Sequence, residues 1–163
     1  MLGEADTGPP KVLTQLLKTG LENYIFTKED HYLGIEAKIR KMGADLAFPV
    51  NMSVNSVAAH YCAVENDSSV LKEGDLLKLD IGVQIDGYIV DSAISNPINT
   101  KKHDKLILAA KEALDNAVKL VKPGIYTSDI GEVIESTIEK HGFKSIRNLS
   151  GHGIEQYNVH AGY

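Results

Sequence analysis

Two strand-forming runs joined by Asp86-Gly87 constrain this chain more than any other feature. Leu76-Leu77-Lys78-Leu79-Asp80-Ile81-Gly82-Val83 and Tyr88-Ile89-Val90-Asp91-Ser92-Ala93-Ile94 are rich in strand formers, and Asp-Gly between such runs is a strong signal for a two-residue hairpin turn. That turn sets the register: Ile85 opposite Tyr88, Gly82 opposite Asp91 and Asp80 opposite Ala93. Side chains alternate between faces, so Asp80, Gly82, Asp91 and Ala93 share one face. The two aspartates become diagonal neighbours, roughly 7–8 Å apart at the backbone. Leu79, Ile81, Val83, Ile85, Tyr88 and Val90 form the opposite, apolar face, suited to packing on helices. Gly82 leaves space above the carboxylates.

Two carboxylates projecting into one small space repel each other, and unaided one would take up a proton. A divalent cation, or a pair of cations about 3.5–4 Å apart, is the usual alternative. The plainer reading is a pair of aspartates on a solvated hairpin face. Against it stand the small residues Gly82 and Ala93 on that face, and His152 set between Gly151 and Gly153 further along.

With 163 residues, the chain has the size of one domain and is long enough to bury a core. Its net charge of −5 carries no basic stripe, which gives nucleic-acid binding no electrostatic support. A single cysteine, Cys62, forbids an internal disulfide and suits a reducing cytoplasm, where it would serve as a small, partly buried apolar residue. No apolar run reaches the eighteen or so residues of a membrane span, and the start lacks a signal-peptide pattern. Residues 1–10, with two glycines and two prolines, read as a loose leader.

Along the rest, a short helix is expected from Lys11 to Thr19 and a second from Thr27 to Gly43, started by the capping-box pattern Thr27-x-x-Asp30 and buried along Tyr32, Ile35, Ile39 and Met42. Strand-like segments follow at 45–50 and 54–60. After the aspartate hairpin, which Pro97 ends, a helix over 101–121 is expected to bury Leu106, Ala110, Ala113, Leu114, Ala117 and Val121. Pro123-Gly124 breaks it, another helix covers 128–141, and a strand at 144–150 should deliver His152. An internal echo runs through this pattern. Leu16-Leu17-Lys18-Thr19-Gly20 matches Leu120-Val121-Lys122-Pro123-Gly124, and Ile35-Glu36-x-x-Ile39-x-Lys41-x-Gly43 matches Ile134-Glu135-x-x-Ile138-x-Lys140-x-Gly142. Two matches in order suggest a duplicated α/β unit, the first over about 11–100 and the start of the second over 101–163.

Leu79 through Asp91, then Gly151-His152-Gly153-Ile154 and Tyr157-Asn158-Val159-His160-Ala161-Gly162, strongly resemble type II methionine aminopeptidases of the archaeal kind. Ala47-Phe48-Pro49, Asn51 through Asn55 and Ala58-Ala59-His60-Tyr61 fit the same family. The resemblance implies an α+β pita-bread fold, an antiparallel sheet with helices packed on one face, built from two related units. It covers about the first half of a complete family catalytic domain, so a truncated version is expected. It also implies metal-assisted removal of N-terminal methionine from nascent proteins, with methionyl peptides as partners and two divalent ions (Mn, Fe, Co or Zn) as cofactors. Carried over, Asp80 is a ligand of one metal, Asp91 a bridge and His152 a ligand of the other. His60 contacts substrate, His160 steadies the scissile carbonyl or the tetrahedral intermediate, and Phe48 and Val159 line the methionine pocket. The family's two further glutamate ligands are expected beyond Tyr163. Activity of this chain alone is therefore expected to be weak or absent, and self-association or a complementing second-half fragment is expected. A non-catalytic pita-bread binding module and an X-Pro hydrolase of the prolidase or aminopeptidase P type stay open as alternatives.

Overall fold

The computed structural model describes residues 28–162. The leader, the helix expected over Lys11–Thr19 and the cap at Thr27 lie outside the described residues, as does the side chain of Tyr32. Among the described residues the chain divides into two compact units. One holds those up to Asn99 together with those from Gly151 onward; the other is Thr100–Ser150.

The first unit is built on the aspartate hairpin. Strands β3 (Leu76–Ile85) and β4 (Tyr88–Pro97) pair antiparallel without a break, from Leu76↔Pro97 to Ile85↔Tyr88, in the register the turn dictates. Asp86 and Gly87 take φ of 51° and 80°, the positive values a two-residue turn of this hand requires. Along the other edge of β3 run β1 (Asp45–Leu46) and β2 (Asn51–Val54), both antiparallel to it. Helix α1 (Lys28–Lys41) lays Ile35 and Ile39 against Val50, Met52, Leu77, Leu79, Ile81 and Val83, and these close the core. Each such side chain, fully buried, contributes about 1.5–3 kcal/mol. Ile85 and Val90 pack against that core, but Tyr88 is 65% exposed, because it stands beside the turn at the hairpin's end.

The strands before the hairpin differ from the sequence reading. The one expected at 45–50 is only two residues long, since Pro49 has no N–H to give a ladder and restricts Phe48 before it. The one expected at 54–60 lies instead at 51–54. It ends where Asn55 turns to φ 52° and its side chain takes over the bonding, accepting from Leu76 N–H at 2.9 Å and donating to Asp75 at 2.8 Å. A second hairpin, β5 (Gly153–Glu155) with β6 (Asn158–Ala161), completes this unit.

The second unit is a pair of helices, α2 (Asp104–Leu120) and α3 (Thr127–Lys140). The buried residues of α2 are Ala109, Ala113 and Ala117: Ala113 and Ala117 belong to the expected stripe, whereas its other members, Leu106, Ala110, Leu114 and Val121, are exposed. An alanine row lets a neighbouring helix come close, and Asn116 donates to Thr137 Oγ1 across that face at 3.4 Å. The strand expected at 144–150 does not form. No described segment offers this stretch a ladder, and an unpaired strand leaves its backbone groups to water.

The echo in sequence has a physical counterpart. α1 and α3 end in the same cap, with Gly43 and Gly142 at φ 82° and 81°. Ala44 N–H donates to Ile39 O and Gly43 N–H to Arg40 O; Phe143 N–H donates to Ile138 O and Gly142 N–H to Glu139 O. This is the Schellman arrangement, which needs a left-handed residue where each copy of the repeat has glycine.

Candidate active site

Register brings the carboxylates together. Asp91 pairs with Gly82 across the hairpin, while Asp80 pairs with Ala93 on one side and with Asn51 of β2 on the other. The space above Gly82 is not empty, as the sequence suggested. The ring of Phe48 fills it, so closely that a Cβ at position 82 would collide with three ring carbons.

His60 follows β2 with φ 66°, a conformation unfavourable for most side chains and fixed here by its neighbours. Met52 N–H donates to Tyr61 O at 2.7 Å, Tyr61 N–H to Ser53 Oγ at 3.3 Å, and Tyr61 Oη to Asp67 at 2.8 Å. Cys62, read from sequence as an apolar filler, has a polar partner: its Sγ donates to Asn51 Oδ1 at 3.3 Å.

The β5–β6 hairpin supplies His152, Val159 and His160. Gly153 is needed there because a Cβ would run into Ala161 O; Gly151 has open space around it. The rings of His152 and His160 meet edge to face with centroids 4.4 Å apart.

All seven residues singled out from sequence, Phe48, His60, Asp80, Asp91, His152, Val159 and His160, line one open cavity of ≈ 320 Å³. The eighth lining residue, Asn51, escaped the sequence reading. Its signal was present: asparagine is depleted in strands, so one inside a strand asks for a reason. The misplaced strand boundaries hid it between two segments.

The electrostatics call for a cation. Burial, then the charge of Asp91 and a hydrogen bond with it, push the Asp80 carboxyl up to about 6, against smaller opposing effects of His60 and His152. His152 Nδ1 lies 3.2 Å from the Gly153 carbonyl, which can only accept, so the proton belongs on Nδ1. Nε2 then faces Asp91 Oδ2 at 3.6 Å, one acceptor towards another, an arrangement that needs a proton or a metal ion between them. Two carboxylates and an imidazole, with no thiolate, fit a divalent ion in the chemistry of their donors. They do not form a complete shell: among the described residues no three His, Cys, Asp or Glu side chains are gathered closely enough to hold a metal ion as they stand.

Known proteins are similar to this chain in sequence and in fold. The chain is 44% identical to a methionine aminopeptidase of Thermococcus onnurineus over 160 residues, 98% of this chain and 52% of that protein. Among solved structures it is similar to methionine aminopeptidase from Rickettsia prowazekii, with TM-score 0.79 and 26% identity over 92% of this chain and 62% of the other. Prolidase from Pyrococcus horikoshii shares the fold, with TM-score 0.78 at 22% identity over 93% of this chain and 45% of that one. The pita-bread architecture of these proteins is the α+β arrangement described above. The chain spans about half the length of the curated relatives it matches. The model of metallopeptidase family M24, a family whose members use divalent metal, matches residues 11–163, and this chain belongs to that family.

Proposed function

We propose that the chain carries part of the active site of a dinuclear metal-dependent aminopeptidase that removes N-terminal methionine. The observation that carries this is the single cavity in which both hairpin carboxylates meet His152, His160, His60 and the apolar pair Phe48 and Val159. The similarity to methionine aminopeptidases over nearly the whole chain supports the choice of substrate.

Asp80, Asp91 and His152 would hold the divalent ions. When bound, such ions supply Lewis acidity and acidify water at neutral pH. The protein's own groups do the rest. Phe48, braced on Gly82, and Val159 offer an apolar wall for the methionine side chain. His60 orients the peptide. His160 donates a hydrogen bond where negative charge develops on the scissile carbonyl oxygen. Partners on this reading are methionyl peptides and nascent chains, met in the cytoplasm. Association with a second copy or a complementing fragment is supported by the exposed apolar residues Leu114 and Val118 of α2 and Val121 just beyond its end. Among the described residues no helix is long and apolar enough to cross a membrane.

Calorimetric titration with Mn²⁺ or Co²⁺ tests the site: wild type should bind, while Asp91→Asn and His152→Ala should bind at least tenfold more weakly, about the loss typical of disturbed metal sites. Equal binding by all three would remove the ligand assignment. A methionyl peptide with a small second residue should shift the resonances of Phe48 and Val159, and an X-prolyl peptide should not. The reverse result would favour the prolidase reading, and no response to either would favour a non-catalytic module.

A further inference from the structure

The β5–β6 hairpin and the residue just before it bring three cavity residues, yet among the described residues its strands pair only with each other. Its turn is hydrogen-bonded to the turn of the sheet's long hairpin. Tyr157 N–H donates to Gly87 O at 2.9 Å, and Gln156 Nε2 donates to Asp86 O at 2.8 Å. The Tyr157 ring lies against Gly87 so closely that a Cβ there would stand 2.5 Å from ring carbons Cδ2 and Cε2. The two turns are seventy residues apart in sequence and dock through one backbone–backbone and one side-chain–backbone hydrogen bond.

Two features describe the residue at the centre of this contact. Tyr157 holds φ 61° as the second residue of the tight turn between Glu155 and Asn158, a left-handed conformation that costs a side chain of this kind roughly 1–2 kcal/mol. It is also 74% exposed, so its ring is held by the contact with Gly87 and not by burial in a core. The docking instead ties the turn of the hairpin carrying His152 and His160 to the turn of the hairpin carrying Asp80 and Asp91.

We infer that Gln156 and Tyr157 are positioning residues: seated on the Asp86–Gly87 turn, they hold His152 and His160 opposite Asp80 and Asp91. This deepens the proposed function and rests on it for metal affinity, while the docking itself is independent of any metal. Gly87 takes part twice, through its positive φ and through the absence of a Cβ under the tyrosine ring.

Two readouts on the 163-residue chain separate the inference from the reading it rests on. In metal-free protein, nuclear Overhauser contacts between the His152 ring and the Asp91 side chain report whether the hairpin is in place. Calorimetric titration with Co²⁺ alone reports the consequence. Tyr157→Ala should lose the contacts and weaken Co²⁺ binding about tenfold, the order expected when a supporting residue is removed. Tyr157→Phe keeps the ring on Gly87 and should stay within about twofold of wild type, because the supporting contact survives. Hydrogen-exchange protection of the Leu79 and Ile81 amides checks the core, and Gln156→Ala, an exposed substitution, decides the matter if Tyr157→Ala loses that protection. Wild-type contacts and wild-type Co²⁺ affinity in Tyr157→Ala would overturn the inference. If wild type itself binds no Co²⁺, the metal reading of the cavity fails, and the Overhauser contacts alone decide the docking.

Discussion

Replacing Gly82 by alanine sets two physical effects against each other. Gly82 has no positive φ, so alanine fits its backbone, and the loss of freedom in the unfolded chain should stabilise by about 0.4–1 kcal/mol. The added methyl, however, would occupy space held by Cδ1, Cε1 and Cζ of Phe48, nearer than real side chains approach. Forcing a methyl into a filled space typically costs about 1–3 kcal/mol. The ring is half-buried and can swing toward the cavity, which keeps the cost in the lower part of that range. The net expectation is destabilisation by about 1 kcal/mol. In a Phe48→Ala background the obstacle is gone, and the same substitution should be neutral or stabilising by about 0.5 kcal/mol. Urea unfolding of wild type, both single variants and the double variant gives the coupling directly, provided the slopes agree. A coupling of about 1.5 kcal/mol is expected, well outside the roughly 0.5 kcal/mol scatter of independent sites. Additive effects, or a stabilised Gly82→Ala single variant, would refute the view that Phe48 rests on this glycine. The displaced ring should also narrow the methionine wall, so peptide-induced shifts at Val159 should weaken more than stability does.

Asp80 gives a pH signature. Its folded value of about 6 lies above the ordinary 3.8, so the folded state holds this proton more tightly than the unfolded chain. The resulting stabilisation is complete below about pH 4 and is lost as pH rises through about 6, amounting to ~1 kcal/mol after allowance for the site's partial exposure. Unfolding curves of metal-free wild type and Asp80→Asn should diverge across that window; parallel curves would contradict it. Asn55 provides a test remote from the cavity: its side chain bonds Leu76 N–H and Asp75, and its φ is positive. Asn55→Ala should cost about 2 kcal/mol in urea unfolding, Asn55→Gly should recover the conformational share, and no change in either would mean these exposed bonds contribute nothing.

Local chemistry made much of this protein legible. A two-residue Asp-Gly turn fixes a register, and a register fixes which side chains share a face, so the pairing of Gly82 with Asp91 and of Asp80 with Ala93 followed from sequence alone. The glycine ends of α1 and α3 were equally readable, because a helix that must stop in a left-handed residue announces it. What sequence misjudged depended on a partner. Periodicity over 101–121 gave a buried face of Leu106, Ala110, Ala113, Leu114, Ala117 and Val121, of which Ala113 and Ala117 are buried with Ala109, while the leucines and Val121 are exposed, because two apolar stripes wind around that helix and only packing decides between them. The strand placed at 144–150 had suitable residues and no ladder to join. Asn51 and Cys62 were invisible as a pair because eleven residues separate them and only the fold of the edge segment closes the gap. The docking of Tyr157 on Gly87 lay furthest from reach. Nothing in either turn requires the other, and only the tertiary structure, by bringing two hairpin ends together, gave a glycine the task of making room for a ring seventy residues away.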